Sequence, residues 1–151
     1  MAVILSGQTI RKRGIFTPFA ERTKLQGMSY GVGPAGYDVR VREEIILAPG
    51  EFKLASTVEH FDMPNDVLGK VADKSTWARL GLAVQNTIIE PGWKGVLTLE
   101  LTNHGKTTLH LTAGCPIAQI ILHLRDEPAE TPYARKYQNQ AAGAQEAILE
   151  K

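Results

Sequence analysis

Apolar and polar residues alternate along this chain in short runs, and a turn signal closes almost every run. Val39-Arg40-Val41-Arg42 alternates and leads into Ile45-Ile46-Leu47, before Pro49-Gly50 turns the chain. The clearest run is Val96 to Thr102. Successive strand side chains point to opposite faces, so its leucines fall on one face and Thr98, Glu100 and Thr102 on the other. Asn103-His104-Gly105 reads as a turn, and Thr107 to Thr112 alternates again around Leu109 and Leu111. After Ala113-Gly114, Pro116 marks a strand start, and Ile117 to Leu124 is mostly apolar. Several short strands at this spacing, with almost no helical periodicity, predict a mainly all-β fold, a β-barrel or jelly-roll-like sandwich.

Two short helices are expected. Ser6 can cap one over Gly7 to Arg13, stopped by Gly14, and a second runs from Ser75 to Leu80 and closes at Gly81. From Asp126 the composition shifts to Pro, Glu, Ala, Gln and Tyr, with little to bury. The chain therefore divides into a barrel domain over residues 1–125 and an extended C-terminal arm over 126–151.

Composition narrows the classes. At 151 residues, 43% hydrophobic and 22% charged, one domain with one core is the expectation. Seventeen Lys and Arg against sixteen Asp and Glu give a net charge of +1, which argues against a nucleic-acid partner. The lone Cys115 forms no internal disulfide, and with four scattered histidines it excludes a Cys-rich zinc site. The opening Met1 to Leu5 is too short for a signal segment, and no apolar run reaches the length of a membrane span. A cytoplasmic protein with no membrane partner is expected.

Gly31-Val32-Gly33-Pro34-Ala35-Gly36 matches G-x-G-x-x-G in form. That fingerprint needs a helix after it, whereas Tyr37 to Val41 reads as a strand, so the match is a decoy. No G-x-x-x-x-G-K-S/T segment occurs. In Asp73 to Gly81, a turn of helix puts Ser75 and Arg79 on one face, with Lys74 adding charge. The segment reads either as a phosphate-binding corner or as a capped surface turn. Glu100 is either a solvated residue on a polar face or a carboxylate lining a cavity with Thr98, able to take a proton from water. Glu90, before Pro91-Gly92-Trp93, is a turn-initiating acid or a second site acid. Tyr133, Arg135, Lys136, Tyr137 and Gln140 form either a solvated tail or an arm that folds over a charged, ring-bearing ligand.

Taken together and in order, these segments resemble the dCTP deaminase and dUTPase superfamily. Ala35-Gly36-Tyr37-Asp38 looks like its first motif, and Lys74-Ser75-Thr76-Trp77-Ala78-Arg79-Leu80-Gly81 like the deaminase K-S-S-x-A-R-x-G. Ile89 to Gly95 is similar to the third motif, followed by the deaminase-type Leu99-Glu100. Gly114 to Gln119 resembles the fourth motif, and Lys136 to Gln140 the deaminase arm.

The resemblance implies a distorted β-barrel or jelly-roll-like fold of the dUTPase type and a homotrimer with active sites between subunits. It also implies a deoxynucleoside triphosphate substrate carrying magnesium through its phosphates, and no zinc. By the same carry-over Glu100 is the general base, while Ser75 and Arg79 hold the water and the base. Lys74, Tyr133, Lys136 and Gln140 grip the triphosphate or close over it, and Glu90 stands where the family has an Asp near the sugar. Thr76, Trp77, Ala78, Thr98, Leu99 and Gln119 complete the substrate-binding set. The stretch Gln85 to Glu90 is two residues shorter than the family pattern, and the Gly-rich, Phe-containing final motif of dUTPases is absent. The expected activity is deamination of dCTP to dUTP. The alternatives are a bifunctional enzyme or dUTPase that releases dUMP and diphosphate, and a non-catalytic nucleotide-binding regulator.

Overall fold

Alternation along the sequence becomes alternation in burial. A computed structural model describes residues 3–151. In chain order its elements are β1 (Val3–Ile4), α1 (Gly7–Arg13), β2 (Phe16–Thr17), β3 (Thr23–Leu25), β4 (Met28–Val32), β5 (Tyr37–Arg40) and β6 (Ile45–Leu47). There follow β7 (Phe52–Asp62), β8 (Val67–Asp73), α2 (Ser75–Ala78), β9 (Leu82–Val84), β10 (Ile88–Ile89), β11 (Lys94–Asn103), β12 (Leu109–Leu111) and β13 (Pro116–Leu124). The largest sheet runs β10-β8-β13-β5-β4-β3, with β1 also on β13. A second runs β2-β7-β11-β9, and β12 pairs with β6. The sheets enclose one core, in which Tyr37, Phe61, Leu99, Leu101, Ile117 and Ile120 are fully buried. Phe16 stacks on Tyr37 at 4.1 Å and meets Phe61 edge-on at 5.1 Å. Among the described residues no helix is long and apolar enough to cross a membrane.

α1 forms where its sequence signals put it. Ser6 Oγ accepts from Thr9 N, a cap worth about 1 kcal/mol, and Gly14 ends the helix at φ 66°. α2 is shorter than expected and ends at Ala78 rather than Leu80. Leu80 N and Gly81 N reach back three residues, to Trp77 O and Ala78 O, so the last turn tightens before Gly81 turns away at φ 97°. The G-x-G-x-x-G stretch runs from the end of β4 into β5, strand to strand, with no helix after it.

The leucines of β11 do not all share a face. Pairing with β7 steps from Val96↔His60 to Thr98↔Ser56, so Thr57, Val58 and Glu59 oppose Leu97 alone. Thr57 Oγ1 accepts from Leu97 N at 3.1 Å and donates to Glu59 O at 2.7 Å, which satisfies the amide that the bulge removes from the ladder. Leu99 and Leu101 enter the core, while Leu97 is half-buried. The same bulge buries the Glu59 carboxylate completely, and Arg40 donates to it from Nε at 2.9 Å and from its backbone N at 3.0 Å. Stripping such a charge of its partner costs about 3–5 kcal/mol, so the pair locks β5 to β7.

The arm contains no helix or strand. It buries more than its composition suggests, because Tyr133 packs against the core. Trp93 Nε1 donates to Tyr137 O at 2.7 Å, Asn139 N to Lys94 O at 2.8 Å and Val96 N to Gln140 O at 2.9 Å. Glycine is required beneath it. A Cβ on Gly92 would lie 2.6 Å from Pro132 Cβ, and one on Gly95 2.7 Å from Gln140 N.

Candidate active site

Glu100 sits mid-way along β11, and its neighbours set its chemistry. On one side β7 places Leu54 directly opposite it and Phe52 opposite Thr102. Opposed residues of an antiparallel pair share a face, so an aliphatic side chain lies against the carboxylate. On the other side β9 ends at Val84, and the last ladder bond there runs from Gln85 N to Glu100 O at 2.9 Å. Beyond that point a side chain continues the pairing: Asn86 Nδ2 donates to Thr98 O at 2.7 Å, and Asn86 Oδ1 accepts from Glu100 N at 2.9 Å. Glu100 is half-buried, and burial holds its carboxyl above the ordinary carboxylate range. A carboxylate tuned upward on a cavity wall is suited to taking a proton from water and returning it.

That cavity measures about 780 Å³, within the span of roughly 300–1,000 Å³ typical of small-molecule clefts. Leu97, Thr98 and Glu100 line it from β11, Phe52 and Leu54 from β7, and Asn86 to Glu90 from the connection around β10. The arm contributes Tyr133, Lys136, Tyr137 and Gln140. Thr98 Oγ1 seats that arm, accepting from Gln140 Nε2 and, at 2.9 Å, from Gln145 N. Lys136 Nζ donates to Ile148 O at 2.6 Å, so the end of the chain occupies the cation from the arm's own side. Glu90, Thr98, Glu100, Tyr133, Lys136 and Gln140 therefore share one cavity, as a common ligand would require.

The other candidates lie elsewhere on this chain. Ser75, Thr76, Ala78 and Arg79 are exposed on or beside α2 and do not border the cavity. Trp77 packs against the core, and its Nε1 donates to Pro116 O at 2.8 Å. Gln119 stands on β13 opposite Asp38 and Ala72. In this chain Lys74 Nζ lies 2.8 Å from Asp38 Oδ2, and its side chain is 9% exposed. Leu99 points into the core, so only its backbone faces the strand edge. The two groups are tied through Val84 N, which donates to Asp73 Oδ1 at 2.8 Å, one residue before Lys74. Sequence reasoning missed Phe52 and Leu54, which the Pro49-Gly50 turn before an alternating run could have indicated. It also missed Asn86's two bonds and Glu146, for which the sequence carries no signal.

A family model described as dCTP deaminase-like matches residues 38–124. A dCTP deaminase of Campylobacter concisus (strain 13826) is 36% identical over 177 aligned residues, covering 95% of this chain and 94% of the relative. That alignment is longer than the chain itself, so the relative carries stretches that this chain lacks. Among solved structures, 2'-deoxycytidine 5'-triphosphate deaminase from Agrobacterium tumefaciens matches with a TM-score of 0.67 at 17% identity, over 82% of this chain and 49% of that one. Native EIAV dUTPase matches with a TM-score of 0.60 at 24% identity, over 80% and 95% respectively. At these identities the structural likeness concerns the fold: a dUTPase-type barrel.

Proposed function

Since this chain belongs to the dCTP deaminase-like family, we propose that it converts dCTP and water to dUTP and ammonia, with Glu100 as general base. The observation that carries this reading is the half-buried Glu100 carboxylate, backed by Leu54, on a cavity that the arm also lines. Glu100 takes a proton from water as the water oxygen bonds to C4 of cytosine, and passes that proton to ring N3. The new hydroxyl's proton then travels through the same carboxylate to the amine. The C4–N bond breaks, ammonia leaves and the carbonyl of uracil remains.

In this proposal Ser75 and Arg79 hold the water and the base from a neighbouring subunit of a homotrimer. Their exposure at the two ends of α2, outside the residues lining their own chain's cavity, supports that arrangement. Tyr133, Lys136 and Gln140 close over the triphosphate when the arm exchanges its contacts to Thr98 and Ile148 for the ligand. The test is product analysis: the protein and magnesium are incubated with each deoxynucleoside triphosphate, and products are separated by chromatography. dCTP is expected to give dUTP and equimolar ammonia. Binding of a nucleotide with no turnover of any would establish the regulator instead.

Magnesium belongs to the substrate here, since unneutralised phosphates repel a nucleophile and magnesium is held largely by phosphate oxygens and water. Removal of magnesium is expected to stop turnover, and a zinc-selective chelator to leave it unchanged. Chelator inhibition reversed by added zinc would contradict the metal-free ring chemistry.

One observation favours a second reading, in which dUTP is also hydrolysed: the exposed Glu90 lines the same cavity as Glu100. Its side chain is one methylene longer than the family's Asp, and a misplacement of about 1 Å can cost 10²-fold when water must be held in line. Deamination alone is therefore expected, with no diphosphate released. Stoichiometric dUMP and diphosphate from dCTP, abolished by Glu90→Gln, would decide for the bifunctional enzyme.

A further inference from the structure

The edge of β11 at Thr98 and Glu100 poses a pairing problem. β9 ends at Val84, so the carbonyl of Thr98 and the amide of Glu100 extend past the last backbone ladder bond, from Gln85 N to Glu100 O. A longer β9 would meet them with a backbone acceptor and a backbone donor. A carboxamide carries the same two functions as a peptide group, and Asn86 presents both at once, at 2.7 Å to Thr98 O and 2.9 Å to Glu100 N.

We infer that Asn86 is the positioning residue for Glu100: its side-chain amide stands in for a missing strand residue and fixes the backbone on both sides of Leu99, and with it the direction of the Glu100 carboxylate. The inference rests on reading Glu100 as the base. Three observations support it. Both hydrogen-bonding functions of Asn86 go to β11, so the amide braces the strand edge while it lines the cavity. The opposite edge of this stretch follows the bulge at Leu97, where Thr57 Oγ1 replaces a ladder partner, so side chains complete the ladder on both flanks of Thr98. Thr98 is also the seat of Gln140 and Gln145, so the braced segment aims the carboxylate and anchors the arm together.

The test compares Asn86→Ala, Asn86→Asp and Glu100→Gln in the full chain, with magnesium and dCTP. It reads kcat, KM, the pH dependence of kcat/KM and hydrogen exchange at the Glu100 amide. Other titratable groups on the cavity are Glu90, Tyr133, Arg135, Lys136, Tyr137 and Glu146. All are unchanged between parent and Asn86 variants, as is the nucleotide's own titration. Asn86→Ala is expected to lower kcat by about 10²-fold, the cost of misplacing a reacting group by about 1 Å, with KM little changed. It should also speed exchange at the Glu100 amide and move the acid limb to lower pH, as the carboxyl loosens into water. Asn86→Asp keeps the acceptor for Glu100 N but adds a negative charge, so exchange should stay slow and the acid limb should move to higher pH. Opposite shifts from two variants at one position are not the mark of a general loss of structure. A raised KM with kcat preserved would make Asn86 a nucleotide contact instead. A lowered kcat with an unmoved acid limb in both variants would leave it only structural. Full turnover in Glu100→Gln would remove the base, and this inference with it, whatever the Asn86 variants do.

Discussion

Glu100→Gln is expected to lower dCTP deamination by roughly 10²–10⁴-fold, the range for loss of a general base, while the protein still binds the magnesium triphosphate. Glutamine matches the size of the carboxylate, so the contact with Leu54 and the backbone bonds to Asn86 and Gln85 survive. What is lost is a site that accepts a proton. Burial disfavours the charged form of Glu100, so the neutral amide is not expected to lower the unfolding temperature. Ammonia release checks the rate and calorimetry with dCTP checks binding. Near-parental turnover would take Glu100 out of the mechanism.

Arg79→Ala is expected to lower deamination by about 10²–10³-fold, as removal of one fixed transition-state donor does, with little change in stability. Arg79 is exposed after α2, and the bond that shapes the turn, from its backbone N to Ser75 O at 3.1 Å, does not involve the side chain. A surface substitution of this kind moves stability by only about 0.5 kcal/mol. Steady-state kinetics and thermal unfolding on one preparation separate the two effects. Parental kinetics, or a loss of activity that follows loss of fold, would count against a role for the guanidinium.

Local signals in this chain proved readable wherever the cause lies within a few residues. Ser6 and Gly14 mark both ends of α1, and Tyr37-Asp38-Val39 announces the strand that disqualifies the G-x-G-x-x-G loop. Alternation from Val96 to Thr102 located β11 and put Glu100 on its accessible face, but not the displacement of Leu97. The cause of that displacement is a hydroxyl at Thr57, on another strand and 40 positions away, and periodicity carries no trace of it. The ion pair of Lys74 with Asp38 is a similar case: β13 stands between β8 and β5 and brings the two residues together from 36 positions apart. The motif order placed Ser75, Arg79 and Glu100 in one functional set, yet a single chain holds them apart. Only the resemblance carried by the ordered motifs implied a site shared between subunits; alternation and turn signals within the sequence do not state it.

The proposed sharing of the site between neighbouring subunits is tested most directly by subunit mixing. Glu100→Gln and Arg79→Ala chains, each expected to retain about 1% of parental activity or less alone, are co-expressed in equal amounts and the mixed oligomers are assayed with dCTP. If Glu100 of one subunit works with Ser75 and Arg79 of its neighbour, about one quarter of the sites in a randomly mixed ring combine two intact halves. Activity should recover to about that fraction of the parent's. No recovery in mixed oligomers, with both chains present and folded, would place the whole site within one chain and contradict the account.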